Sequence, residues 1–146
     1  MDQPTKIEVI ARGIMFHEKH ILLCRNRKHG YCYLPGGHVE PGESAARALA
    51  REMMEEATTT VVVQEVVVTE EHLFMQGGKP RHEFNVYMRM QCDAPERVRS
   101  VEPYIEFVWV LLDELATTDV RPVHVKRLID DAAAGKSLLW SSVTPA

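Results

Sequence analysis

Gly36-Gly37-His38-Val39-Glu40-Pro41-Gly42-Glu43 leads into residues 44–57, a segment free of glycine and proline that closes on Arg51-Glu52-Met53-Met54-Glu55-Glu56 before Ala57. The two glycine turns cannot continue a strand or a helix, so the next regular element starts after the second of them. Good helix formers dominate 44–57, and Ala46, Leu49, Ala50 and Met53 gather on one side of a helical wheel. Glu52, Glu55 and Glu56 fall within an arc of about 100° on another side. Each like-charge pair at i,i+3 or i,i+4 disfavours an isolated helix by about 0.2–0.5 kcal/mol. Negative charge near a helix C-terminus also opposes the macrodipole. A segment selected for helix stability alone would not place three carboxylates there.

A hard divalent cation resolves that conflict, because Mg²⁺ takes oxygen ligands from a few carboxylates and keeps other positions for water and phosphate oxygens. Gly36 and Gly37 let backbone approach such an ion or a phosphate without a Cβ in the way. The bland alternative is a solvated helix face, on which Glu43 and Arg47 make a favourable i,i+4 pair.

Outward from this segment, residues 7–16 and 21–25 read as a β-hairpin around His17-Glu18-Lys19-His20. Residues 61–69 are dense in β-branched side chains and predict a strand with a fully buried face. Residues 83–91 alternate with period two, as a half-buried strand does, and 76–80 between them is a turn or mobile loop. Residues 104–112 are nearly all apolar, which predicts a central strand, followed by a single helical turn at 113–116. A second helix is expected over 121–134, with Pro122 near its start and Gly135 after its end. Past 136 the chain is polar except for Leu138, Leu139 and Trp140, which are expected to pin it to the body. The order of elements predicts an α/β layered domain with a mixed sheet, formed by residues 1–146 as a single unit.

The chain of 146 residues is 45% apolar and 26% charged, with a net charge of −4. This composition excludes a disordered tail and a basic nucleic-acid arm. Five carboxylates against two arginines lie between Glu40 and Glu56, so the acidity is concentrated at the helix. Cys24, Cys32 and Cys92 are odd in number and widely spaced, which points to a reducing, cytoplasmic compartment. The N-terminus carries no readable secretory signal, and no apolar run approaches the roughly 20 residues of a membrane span. None of the seven histidines has zinc-motif spacing, so the sequence assigns no zinc site.

The stretch 37–59 resembles the Nudix box, the signature of the Nudix hydrolases. Gly37, Glu43, Arg51, Glu52, Met53, Glu55 and Glu56 all fall in its register, introduced by Leu34-Pro35-Gly36-Gly37. Two positions depart: Thr58 stands where the family has glycine, and Thr59 where it has an aliphatic residue. A β-branched residue suits the left-handed helix ending poorly, so a different ending with some lost stability is expected. The resemblance implies a Nudix-like α/β/α sandwich with a mixed sheet between helices. It also implies hydrolysis of a diphosphate linkage in a nucleoside diphosphate joined to another group. By the same resemblance Glu52, Glu55 and Glu56 are catalytic and bind Mg²⁺ or Mn²⁺, with the Gly37 carbonyl as a further ligand. Glu43 and Arg51 support the loop against the helix.

Outside the box, Glu106 is a candidate extra ligand or base, against the alternative of a solvent-facing strand position. Arg25, Arg27, Lys28 and His29 are placed to reach phosphates or to form a basic surface turn. Tyr31, Tyr33, Phe74 and Tyr87 stack on a base or fill the core. His82 and Glu83 enter the site or end a half-exposed strand. The tyrosine and proline that mark diadenosine polyphosphate and ADP-ribose hydrolases are both missing, since Met75, Gln76 and Gly77 occupy that region. Substrate-binding residues are therefore unassigned. The expected partner is a small nucleotide, neither a membrane nor a nucleic acid, and a homodimer is compatible with the sequence. Two competing functions remain: a non-catalytic nucleotide-sensing Nudix module, and a plain structural α/β domain.

Overall fold

Strand β1 (Glu8–Ile14) fixes where the acidic helix lies. Its side chains alternate between two cores, and the strand pairs on one side with β5 (Gly36–His38), which delivers the chain into α1 (Ala45–Ala57). In the computed structural model residues 3–143 are described, with the backbone alone at 138 and 139. The other elements are β2 (Phe16–His17), β3 (His20–Asn26), β4 (Cys32–Tyr33), β6 (Val62–Gln76), β7 (Lys79–Gln91), β8 (Ile105–Leu111), α2 (Val125–Ala133) and β9 (Leu138–Val143). One sheet runs β5-β1-β7-β6-β9 and mixes parallel pairs, β1 with β7 and β6 with β9, with antiparallel ones. A second, antiparallel sheet is built on β3, flanked by β2, β4 and β8.

Leu22 belongs to the core under α1, together with Ala11, Met15, Leu49 and Met53. Its neighbours Ile21 and Leu23 belong to the core under α2, together with Ile14, Val68, Val125 and Ile129. Successive strand residues point to opposite faces, so the helices cover opposite faces and the expected α/β/α sandwich results. Burying Leu49 and Met53 completely contributes about 1.5–3 kcal/mol each, which anchors the acidic helix. Ser44 caps it by accepting from Arg47 N–H at 3.2 Å. Among the described residues no helix is long and apolar enough to cross a membrane.

Six expectations change. The turn expected at Gly36-Gly37 is the short strand β5, paired with β1. Of residues 7–16 only Met15 and Phe16 join 21–25: the chain leaves the first sheet at Met15, whose carbonyl accepts from Leu22 N–H at 3.0 Å, and β2 pairs with β3 through a turn in which Glu18 and Lys19 have φ of 47° and 64°. The segment from 61 continues to Gln76 as one long arm of a hairpin with β7, and its start is exposed, Val62 at 65%. Among the described residues strand β8 pairs with β3 alone and so is an edge strand, with Ile105 buried, 106–110 half-buried and Leu111 exposed. The second helix begins at Val125, after the turn at Pro122. The polar tail forms β9 against β6; Trp140 lies 5.4 Å from the Phe84 ring, while the Leu138 and Leu139 side chains and residues 144–146 lie outside the described residues.

The ending of α1 is a further correction. Thr58 adopts the left-handed conformation, φ 48° and ψ 39°, and its N–H donates to the Met54 carbonyl at 3.0 Å. The Thr58 bond is the one a glycine-type left-handed cap makes, here around a threonine, and the Thr59 N–H donates to the Met53 carbonyl at 3.3 Å. Holding a Cβ in this region costs about 1–2 kcal/mol. The substitution Thr58→Gly removes that strain but adds unfolded-state entropy worth about 0.5–1 kcal/mol. The expected result is a net gain of roughly 0.5–1 kcal/mol, a rise of about 2 °C in thermal unfolding, with turnover unchanged. A lowered melting temperature would show that the cap is not strained.

Candidate active site

Strand β5 and helix α1 bring the glycine turn against the acidic face. A Cβ on Gly37 would lie 2.4 Å from the Glu52 Cδ and 2.5 Å from its Oε1, so the carboxylate rests on the glycine Cα. Arg51 ties the loop to the helix. Its Nε and Nη2 donate to the two oxygens of Glu43 at 2.9 and 2.8 Å, and Nη2 also reaches the His38 carbonyl at 3.0 Å. Nη1 donates to Glu52 at 3.1 Å and to Glu55 at 3.3 Å. The bidentate guanidinium holds the Glu43 carboxyl at about 2, below the usual carboxylate range, helped by the Glu40 N–H.

Glu56 is the electrostatic outlier. Burial, and then the Glu52 charge beside it, push its carboxyl up to about 7; Glu102 adds to the effect and the Arg12 guanidinium opposes it. Uncompensated negative charge in a half-buried setting is what a cation would relieve. All the side-chain donors on this face are carboxylate oxygens, the ligand type of Mg²⁺ and Mn²⁺. The face therefore fits such an ion. Glu55 is 58% exposed and engaged by Arg51, so it must turn away from the guanidinium to join one.

Glu106 lies on β8, and its recorded partners are Arg25 and Arg27, the latter at 3.3 Å. Lys28 and His29 belong to the turn after β3, where their N–H groups donate to the Asn26 side chain. Tyr31 lies under the Arg121 guanidinium, 4.6 Å from ring centre to Cζ. Phe74 stacks on His72 at 4.4 Å, and His82 bonds Glu71 at 3.0 Å. Tyr33, Glu83 and Tyr87 line a cavity of about 90 Å³ together with Arg12, His72, Asn85 and Arg121. Sequence reasoning missed Arg12 and Glu102, the charged neighbours of Glu56. Arg12 had a readable signal, being the lone charge within the apolar run 9–15. A second gathering was also missed: Glu70, His72 and His124.

A layered α/β sandwich with a glycine turn docked on an acidic helix defines the class. The NUDIX domain model matches residues 7–130. Among solved structures, a NUDIX hydrolase from Nitrosomonas europaea superposes with a TM-score of 0.70 at 24% identity, covering 92% of this chain and 93% of that one. The mutator MutT protein from Bacillus halodurans gives 0.72 at 20% identity, covering 94% and 89%. A UDP-X diphosphatase gives 0.70 at 17% identity, covering 96% of this chain and 70% of that one. The chain belongs to the NUDIX family, and so to the hydrolases that act on phosphoric anhydride bonds in nucleoside diphosphate-linked substrates.

Proposed function

We propose that the protein is a divalent-metal-dependent pyrophosphohydrolase of small nucleotides. Glu52, Glu55, Glu56 and the Gly37 carbonyl would hold Mg²⁺, with Mn²⁺ as a substitute. The observation that supports this most is the Glu56 carboxyl, raised to about 7 beside Glu52 on the face that meets Gly37. When bound, the metal neutralises charge on the diphosphate oxygens and lowers the pKa of a bound water. Glu56, kept as the carboxylate by the bound cation, takes the proton from the attacking water. The water oxygen joins one phosphorus, and the bridging oxygen leaves with the other. Glu43 and Arg51 keep the glycine loop seated, so that Gly37 and Glu52 stay in contact. Glu106 is reserved for an auxiliary role once it is released from Arg25 and Arg27. The three free cysteines support a reducing compartment such as the cytoplasm.

Incubation with Mg²⁺ and a panel of nucleoside triphosphates, ADP-ribose, nucleotide sugars and dinucleoside polyphosphates tests this. The expected result is release of phosphate or nucleoside monophosphate from at least one substrate, abolished by EDTA and restored by Mg²⁺ or Mn²⁺. Tight binding without turnover would transfer support to a nucleotide sensor.

A further inference from the structure

Glu70 and His72 on β6 and His124, distant in sequence at the start of α2, each bring one ligand atom to within 4.8 Å of the others. Glu70 is fully buried. Its Oε1 accepts from the Tyr87 hydroxyl at 3.0 Å and the Asn85 amide at 3.4 Å, and its Oε2 accepts from His124 Nε2 at 2.8 Å. A buried Glu70–His124 pair would need no third member, yet His72 stands edge-on to His124 at 5.0 Å between ring centres. His72 is 9% exposed, and its ring is packed between Phe74 and His124.

We infer that Glu70, His72 and His124 form a second metal site, for a borderline divalent cation such as Zn²⁺, that ties β6 to the start of α2. Two imidazoles and one carboxylate are the donor set of zinc, whereas the all-oxygen face of α1 suits magnesium. Tyr87 and Asn85 orient the Glu70 carboxylate through Oε1 and leave Oε2 toward the histidines, as outer-shell groups do in metal sites. Bonds of about 2.0–2.2 Å place tetrahedral donors roughly 3.3 Å apart, so the widest pair closes by imidazole rotation. A remaining position, beside the cavity that His72 lines, is left for water. The inference does not depend on the hydrolase reading, because its readout is metal binding.

The test uses the full chain carrying Glu52→Gln and Glu56→Gln, so that the acidic face no longer competes, freed of metal by chelation and titrated with ZnCl₂. One Zn²⁺ per chain is expected, together with a rise in melting temperature. Adding His72→Ala or His124→Ala should weaken Zn²⁺ by at least about 100-fold. Co²⁺ should give visible d–d absorption in the parent of this series and lose it in both histidine variants. Absence of stoichiometric Zn²⁺ binding, or unchanged affinity in folded histidine variants, overturns the site. If neither histidine variant folds, the Co²⁺ spectrum of the parent decides, and a purely hexaaquo spectrum overturns it.

Discussion

Glu56→Gln is expected to lower kcat by roughly 10²–10⁴-fold, the usual contribution of a general base, and at the same time to make the metal-free protein more stable at neutral pH. The two effects share one cause. The Glu56 carboxyl titrates at about 7 in the fold against 4.5 for an ordinary glutamate, chiefly through burial and then through Glu52. Between those pH values the folded state keeps a proton that the unfolded chain has released. Stability of the metal-free protein from this group therefore falls as pH rises through that window. Glutamine carries no charge to desolvate, so the melting-temperature advantage of the variant should be absent at pH 4 and grow toward pH 7.5. A bound cation reverses the balance by favouring the carboxylate, so metal affinity of the parental protein should rise over the same range. Turnover assays and thermal unfolding in EDTA read both halves. Near-parental turnover in Glu56→Gln, or an advantage that shrinks with pH, would remove Glu56 from the proposed role.

Local spacing carried the acidic helix into view, because residues 44–57 interact within a few positions of one another and the helical period alone brings Glu52, Glu55 and Glu56 together. The Glu43–Arg51 brace, which the family resemblance implied, also spans only this short stretch. Sheet membership did not. How much of 7–16 pairs with 21–25 depends on Met15, where the chain passes from one sheet to the other, and no periodicity records that crossing. Strand β8 reads as central because its side chains are apolar; yet among the described residues β3 is its one partner, and packing across its face half-buries 106–110. At Thr58, local propensity argued against the left-handed ending, but the hydrogen bonds to Met53 and Met54 closed it regardless. Glu70, His72 and His124 were invisible for a different reason. Their neighbourhood is created by β6 and the start of α2 meeting across the core, which ligand spacing along the chain cannot express.

Gly37→Ala should lower kcat/KM by about 100-fold while leaving the fold nearly as stable as before. The added Cβ would lie 2.4 Å from the Glu52 Cδ, 2.5 Å from Oε1 and 2.9 Å from Oε2. Ordinary contact requires a retreat of about 1 Å, and a misplacement of that size in a catalytic group costs on the order of 10²-fold. The obstructed atoms are the end of a flexible side chain, so Glu52 swings away and the backbone keeps its place. Its departure also disturbs the Arg51 Nη1 contact and removes the neighbour that raises Glu56. Gly36 provides the contrast. There φ is 141° and a Cβ would stand 1.9 Å from the Ala11 carbonyl oxygen of the paired strand, so Gly36→Ala must force β5 away from β1. Adjacent glycines thus separate site from scaffold: Gly36→Ala should unfold at a much lower temperature, and Gly37→Ala should retain its melting temperature and lose its turnover. Parental turnover in Gly37→Ala would mean that the contact between Gly37 and Glu52 does not set the geometry of the reaction.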